Sequence, residues 1–436
     1  MSVRTRRPAV LLLCCTALLA GCGSTGGGPA VVRVAAPGSP PTVDPAQVTA
    51  TAAATGAFGL DLLHTLTADP AAAGRNLVLS PSGLATALAM LLPGARGTSA
   101  EELTRALHTE LAPQQYALAA GALNRRTPTG GDGGGFVLRQ ADDIWAQRDF
   151  PVDQGYLGVL AAAFDTGVHT ADFRKDPEGA RKAVNSAVEK ATEGRVKDLF
   201  GKGQINADTR LALTDALYLK ADWAAPFKAP NTADRPFHRL DGSVPAVPTM
   251  AAKESLRYAE GSGGILGEPW QAVELPYAGG SLAMDLVVPA QGGFEAFRKG
   301  LDQTRLDLIL GSLTGRSVDL TLPKFHFDTA NDLKPALRAL GVDAVFGPGA
   351  DLSGIPGAGA TERLKVGAVV QKATVQVDEK GTVAAAGSGV SVEAMAGAAP
   401  KDPVQLHIDR PFLFLIRDTA TGRPLFLGQV TDPQAG

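Results

Sequence analysis

Residues 369–400 read VVQKATVQVDEKGTVAAAGSGVSVEAMAGAAP, and their character changes after Gly381. The first third is rich in β-branched residues, which predicts a strand over Val369–Val377. After Gly381, every residue through Val390 is small or β-branched. Such side chains bury too little apolar area to hold a segment in a core, so we expect Glu379–Pro400 to form an exposed loop.

The same segment alternates in a way that would suit a strand. Successive side chains of a strand point to opposite faces, so every second residue would share one face. That face would carry only short side chains, which could slide over a packed core: Thr382, Ala384, Ala386, Ser388, Val390 and Val392. Composition alone does not exclude the alternative of an ordinary Ala/Gly-rich surface loop.

The N-terminus has the pattern of a targeting segment. A cluster of arginines precedes the uncharged run Ala9–Ala20, which is too short to span a bilayer. The run ends in Leu19-Ala20-Gly21-Cys22, which resembles the bacterial lipobox, in which the cysteine thiol takes a diacylglyceryl group. We therefore expect residues 1–21 to be a lipoprotein signal peptide and Cys22 to be lipidated. An ordinary secretory signal with a chance cysteine is the alternative.

Either type of signal predicts a secreted protein, and the lipobox predicts that it is held at the extracellular face of the cell membrane by its lipid. The next segment, residues 22–51, is rich in Gly, Ser, Pro and Ala without helical or strand periodicity, so we predict a flexible linker. No internal repeat follows, and we predict one folded domain over residues 52–436. Cys22 would be the only cysteine after cleavage, which excludes a disulfide within one chain.

Helical patterns dominate the first half of the domain and strand patterns the second, which predicts an α+β fold. The clearest helices are Ala57–Leu66, Gly83–Leu92, a segment opening at Thr98 with capping-box spacing, and Pro177–Ala191 with Asp176 as its cap. The predicted strands are Leu211–Lys220, Leu282–Pro289, Val318–Pro323, Val369–Val377, Phe412–Arg417 and Pro424–Val430.

Composition and motifs argue against several classes of function. The formal net charge of −3 gives no electrostatic reason to expect nucleic acid. The sequence contains no G-x-S-x-G, no zinc-helix histidine pair and no Walker A loop. We therefore predict no enzymatic activity, no catalytic residues, no metal and no cofactor, with a cell-wall hydrolase as the least favoured alternative.

From about Ala52 to Val430, a series of separated motifs resembles the serpin family in the order expected along the chain. The stretches that carry the resemblance are Asn76–Pro81, Ala87–Leu91, Gly94–Thr98, Asp172–Phe173, Val184–Asn185, Thr192–Val196, Ala216–Lys220, Glu274–Tyr277, Leu322–Phe325, Asp351–Gly354, Val377–Thr382 and Asp409–Phe414. No single motif is decisive, but their common order is specific.

The resemblance implies a fold of three β-sheets with eight to nine helices and an exposed reactive-centre loop. It also implies a serine protease inhibitor that traps its target as a covalent acyl-enzyme while the cut loop inserts into the central sheet. Serine proteases would be the partners, with cysteine proteases as a second class, and the protein would act as a monomer. A non-inhibitory, serpin-like binding or scaffold lipoprotein is the alternative.

Family positions map onto particular residues of this loop and its surroundings. The hinge would comprise Glu379, Gly381, Thr382, Ala384, Ala385 and Ala386, and no Pro, Asp, Lys or Arg falls between Gly381 and Val392 to block insertion. Counting sixteen residues beyond Glu379 predicts the reactive bond Met395–Ala396. A methionine suits the apolar pocket of elastase-, chymotrypsin- or subtilisin-like proteases. Trp223, Lys324 and Glu379 would mark the point where the loop first enters the sheet, with an ion pair between the last two.

Two positions depart from the family pattern. Many relatives carry a serine where this chain has Gly83, and a histidine where it has Gln371. The resemblance implies that these positions help to control the opening of the central sheet. We therefore expect the rate of loop insertion to differ from that of relatives with the common residues.

Overall fold

A computed structural model of the chain describes residues 30–130, 135–263, 267–382 and 402–435. Within these ranges lie one single-turn helix and nine α-helices of six or more residues. In chain order they are α1 (Pro45–Leu66), α2 (Pro70–Ala73), α3 (Pro81–Leu91), α4 (Gly97–Ala106), α5 (Pro113–Arg126), α6 (Gln154–Phe164), α7 (Pro177–Ala191), α8 (Phe294–Gly300), α9 (Gln303–Ser312) and α10 (Lys334–Ala339).

The described strands form two hydrogen-bonded sheets. In chain order the strands are β1 (Ala30–Val32), β2 (Leu77–Leu79), β3 (Phe136–Gln147), β4 (Val168–Ala171), β5 (Leu211–Asp222), β6 (Ala233–Pro236), β7 (Ala246–Ser262), β8 (Pro269–Pro276), β9 (Leu282–Pro289), β10 (Thr314–Pro323), β11 (Phe325–Asp332), β12 (Val366–Val377), β13 (Gly381–Thr382), β14 (Val404–His407), β15 (Phe412–Asp418) and β16 (Pro424–Val430).

The first sheet, called here the central sheet, has the strand order β1-β4-β3-β5-β13-β12-β11. Its long strands β5 and β12 pair in parallel from Leu211 opposite Val366 to Leu217 opposite Ala373. Beyond Ala373 the two-residue strand β13 lies between them. Strands β5 and β12 therefore pair directly along most of the central sheet, and only at one end are they separated by the short strand β13.

The second sheet contains nine strands and is continuous through the long strand β7. The first part of β7 pairs with β6 and β10, and its last part pairs with β8. The resemblance led us to expect three sheets. Because β7 runs without a break through both groups of strands, two of those sheets are joined here into one.

Helix α3 connects the two sheets. Every residue of Pro81–Leu91 is buried, and the helix packs against β3 and β5 of the central sheet and against β16 of the second. Ser80 caps it, because its Oγ accepts a hydrogen bond from Gly83 N at 3.1 Å, and Pro81 occupies the first turn. The first turn of α3 is thereby held directly beneath the junction of β5 and β12.

The structure confirms several boundaries predicted from sequence and corrects others. Helix α7 begins at Pro177 with Asp176 as its cap, as predicted. The folded region starts earlier than Ala52, because α1 begins at Pro45 with Asp44 accepting a hydrogen bond from Ala46 N, and β1 pairs with β4. The expected capping box at Thr98 is also wrong, since no side chain caps α4. Among the helices described, none is both long enough and apolar enough to cross a membrane.

Candidate functional site

The site begins where the chain leaves β12 and turns back on itself. Asp378 N donates to Gly381 O at 3.0 Å, and Thr382 then pairs with Val377 on one side and Ala221 on the other. A Cβ on Gly381 would collide with the carbonyl oxygen of Ala221, so only glycine allows this close approach. The first residues of the predicted hinge are therefore already a strand of the central sheet.

An ion pair fixes the turn before this strand. Lys324 Nζ lies 2.7 Å from Glu379 Oε2, and Thr232 Oγ1 donates to Glu379 Oε1 at 2.8 Å. Partial burial acts to raise the pKa of Glu379, but hydrogen bonds from Lys324, from its own backbone and from Thr232 hold it below its usual range. Both carboxylate oxygens are thus occupied by different parts of the chain.

Trp223 covers the same turn from the end of β5. Its indole Nε1 donates to Asp378 O at 3.0 Å, and its main-chain N donates to Lys380 O at 2.7 Å. The ring stacks on Tyr277 with centroids 4.6 Å apart. Tyr277 Oη in turn lies 2.6 Å from the hydroxyl of Thr382, which is 1% exposed. The structure therefore brings Trp223, Lys324 and Glu379 together around the start of the hinge.

Farther along the central sheet, Gln371 joins three elements. Ser80 N donates to Gln371 Oε1 at 3.0 Å, and Gln371 Nε2 donates to Ser80 O at 2.8 Å. The same amide donates to the carboxyl of Asp215, the residue opposite it on β5. Gln371 thus ties β12 to β5 and to the start of α3.

Asp215 stands beside a second acid, Asp142, which is its partner on β3. Burial raises the pKa of Asp215 to about 7, and burial together with the charge of Asp215 raises the pKa of Asp142 well above its usual range. A Cβ on Gly83 would collide with the Asp215 carboxyl, which accounts for glycine at that position.

Neither acid is among the site residues predicted from the sequence. Asp142 is followed by Asp143, and adjacent acids usually mark a solvated face. The available signal is the alternation along β3, in which the even-numbered neighbours Leu138 and Ile144 are buried and share a face with Asp142. An acid at a core-facing position of a central strand indicates a buried carboxyl.

Several predicted site residues lie outside the described residues. These are Ala384, Ala385 and Ala386 of the hinge, Met395 and Ala396 of the reactive bond, and Cys22. Within the described ranges, no group of three or more His, Cys, Asp and Glu side chains could hold a metal ion.

Comparison with known proteins gives consistent matches. The sequence profile of the family described as "Serpin (serine protease inhibitor)" matches residues 53–433. The chain is 34% identical to an uncharacterized serpin-like protein of Thermococcus kodakarensis, covering 87% of this chain and 85% of that one. It is also 34% identical to plasminogen activator inhibitor 1 of Neovison vison, covering 82% and 88%.

A similar solved structure is that of Serpin48, described as a highly specific serpin in the insect Tenebrio molitor. It superposes with a TM-score of 0.76 at 27% identity, covering 90% of this chain and all of that one. The likeness in fold therefore extends over the same region as the sequence match.

Proposed function

The chain belongs to the serpin family, and on that premise we propose that it is a protease inhibitor that traps its target by inserting its cut loop into the central sheet. Most members of the family inhibit proteases. The observation that carries the proposal is the position of β13, which lies between β5 and β12, with Thr382 paired to both strands. The hinge thus starts at the place from which an inserted strand would grow.

The register of β13 defines what insertion has to change. Thr382 is opposite Ala221 and Val377, so an extended strand in the same register would put residue 388 between Asp215 and Gln371. At present those two residues face each other directly. Insertion must therefore break the Gln371–Asp215 hydrogen bond and replace the parallel pairing of β5 and β12 by antiparallel pairing to the new strand.

The sequence of the loop suits such a strand. Thr382 faces the core, and the residues that would follow it on the same face are Ala384, Ala386, Ser388, Val390 and Val392. About ten new strand hydrogen bonds, at roughly 0.5–1.5 kcal/mol net each, would provide on the order of 10 kcal/mol. That free energy is enough to distort the active site of an attached protease.

In the proposed reaction, the catalytic residues of the target protease carry out the covalent step. The catalytic serine oxygen of the protease forms an ester with the carbonyl carbon of Met395, the Met395–Ala396 amide bond breaks, and Ala396 leaves with the free amine. Insertion then carries the ester-linked protease away before water can hydrolyse the ester. Met395 favours proteases with apolar specificity pockets, such as elastase-, chymotrypsin- or subtilisin-like enzymes.

Mixing the intact protein with elastase and, separately, with subtilisin tests the proposal. We expect a covalent complex that survives SDS, together with N-terminal sequencing of a fragment that begins at Ala396. Trypsin serves as the control protease, because its acidic pocket selects lysine or arginine. Cleavage at Met395 without complex formation would contradict inhibition and would favour a non-inhibitory binding or scaffold protein.

We also propose that Cys22 anchors the protein to a membrane by a lipid and that the domain acts outside the cell. The proposal rests on the lipobox-like Leu19–Cys22 and the apolar run before it. Expression of the full chain in a bacterial host should give a membrane-bound protein labelled by a radioactive fatty acid. A Cys22→Ala variant that remained labelled would contradict this assignment.

A further inference from the structure

Two acidic side chains lie side by side beneath the strands that have to separate. Asp142 and Asp215 are directly opposite each other on β3 and β5, so their side chains are neighbours on one face of the sheet. One oxygen of each carboxyl accepts from a glutamine amide, Gln140 for Asp142 and Gln371 for Asp215. The other oxygen of each, Oδ1, is buried, and no donor reaches either atom in the part of the chain that the structure describes.

The charges around this carboxyl pair do not neutralise it. Buried Arg423, from the turn between β15 and β16, acts to lower the pKa of both acids. Its guanidinium donates instead to Thr127 Oγ1 at 2.8 Å and lies 3.5 Å from Ser82 O. Facing the arginine are the Tyr116 hydroxyl of α5 and the carboxylate of Asp418.

A second arginine, Arg125 of α5, lines the same cavity as Asp142, but its guanidinium donates to Ala163 O at 2.5 Å. Helix α3 places the bare backbone of Gly83 against the Asp215 carboxyl. The pair His169–Asp143, at 3.0 Å, involves the neighbouring residue of β3, whose side chain points to the opposite face. A proton between the two Oδ1 atoms is therefore the group that would satisfy both.

We propose that a proton held between Asp142 and Asp215 latches the closed central sheet, and that its loss at higher pH favours opening between β5 and β12. Opening breaks the bond from Gln371 and lifts Asp215 from Gly83, so that water can solvate both carboxylates. While the sheet is closed, two unprotonated acids would repel each other without a cation bound to either. The consequence for inhibition rests on the proposed function, because this gap is the one into which the cut loop would insert.

The direction of the pH effect follows from proton linkage. In the open sheet the acids are hydrated and release their protons near pH 4, whereas in the closed sheet burial raises the pKa of Asp215 to about 7 and that of Asp142 well above its usual range. Between these values the closed state binds more protons than the open state, so rising pH favours opening. Above the raised pKa values neither state binds the protons, so a further rise in pH no longer changes the equilibrium between the closed and open sheet.

The test is to measure how fast the intact protein takes up a synthetic peptide with the sequence TVAAAGSGVSV, that of residues 382–392. Native gel electrophoresis reports the complex. We expect the rate for the unmodified protein to rise at least about tenfold between about pH 5 and about pH 8, since each unit of pKa difference is a factor of ten. Asp142→Asn and Asp215→Asn should each abolish most of this rise, because an amide donates to the remaining carboxylate at every pH.

Asp328→Asn is the matched control. It makes the same chemical change on β11 of the same sheet, where the side chain is 54% exposed, and it should keep the full rise. Asn variants at 142 and 215 that keep the rise would overturn the latch. If no variant takes up peptide at any pH, loop insertion itself fails. In that case the melting temperature tests the latch. It should fall as pH rises in the unmodified protein and stay unchanged in the two Asn variants.

Discussion

At the scale of single residues, Glu379 connects the start of the hinge to two other parts of the chain. Its side chain is 17% exposed, and its two oxygens bind Lys324 and Thr232, which come from different parts of the chain. Because the pKa of Glu379 is held below its usual range, the contact is stabilising when the carboxylate is ionised. It is lost as pH falls below about 4, the opposite direction to the pair Asp142–Asp215.

We predict that Glu379→Gln weakens the contact of residue 379 with Lys324 and allows premature insertion of the hinge. Loss of one charge-assisted hydrogen bond costs about 1–3 kcal/mol, so the melting temperature should fall by a few degrees. The variant should also convert to polymers or to an inactive monomer faster on mild heating, as measured by size-exclusion chromatography. Glu254→Gln, at an exposed position of β7, is the control. Unchanged melting and monomeric elution of the hinge variant would contradict the prediction.

At the scale of elements, β13 shows how a two-residue strand can depend on its surroundings. Gly381 fits because Ala221 leaves no room for a Cβ, and Thr382 fits because Tyr277 offers a hydroxyl in an otherwise apolar place. Local propensity would not predict a strand of this length. The pattern of short side chains predicts only that the segment is able to insert, whereas two of its partners, Ala221 of β5 and Tyr277 just after β8, are far away in the sequence.

We predict that Thr382→Arg turns an inhibitor into a substrate. The guanidinium would have to occupy a site that is now 1% exposed, and burying an unpaired charge costs several kcal/mol. Insertion would then be slower than hydrolysis of the acyl-enzyme. The ratio of cleaved protein to SDS-stable complex, measured by densitometry, should rise several-fold. Thr314→Arg, at the exposed start of β10, should leave that ratio unchanged.

The sequence predicts best those helices and strands whose burial requires a simple pattern of apolar residues. The strands β9 and β16 lie at the predicted bounds, because each is predominantly apolar and buried on both faces. For strand β1 and the first two turns of α1 the sequence predicts a linker, since Ala- and Thr-rich sequence near prolines carries a weak periodic signal. Their order depends on β4 and on the Asp44 cap.

At the scale of the whole molecule, two groups of contacts, at different points along β5 and β12, hold the central sheet closed. The ion pair Lys324–Glu379 and the stack of Trp223 on Tyr277 hold the end where β13 enters. Farther along, Gln371 and Asp215 hold β12, β5 and α3 together. The family resemblance pointed to both places, but not to the carboxyl pair, because Asp142 acquires its role only through strand pairing with Asp215.

A cut in the loop should convert this closed sheet into a more stable one. Inserting a strand between β5 and β12 exchanges one parallel interface for two antiparallel ones and buries the small-residue face of the loop. With a gain on the order of 10 kcal/mol and about 2–4 °C per kcal/mol, or somewhat less for so large a domain, the melting temperature should rise by at least about 10 °C. Limited digestion with elastase followed by calorimetry measures this rise.

The variant Thr382→Arg provides the comparison that separates insertion from simple cleavage. Both proteins carry the same cut, but the arginine cannot enter the core beside Tyr277, so the cut variant should gain much less stability than the cut parent. Equal melting temperatures for the cut and uncut parent would mean that the loop stays outside the sheet. The central sheet would then be closed permanently, and the fold would serve binding without inhibition.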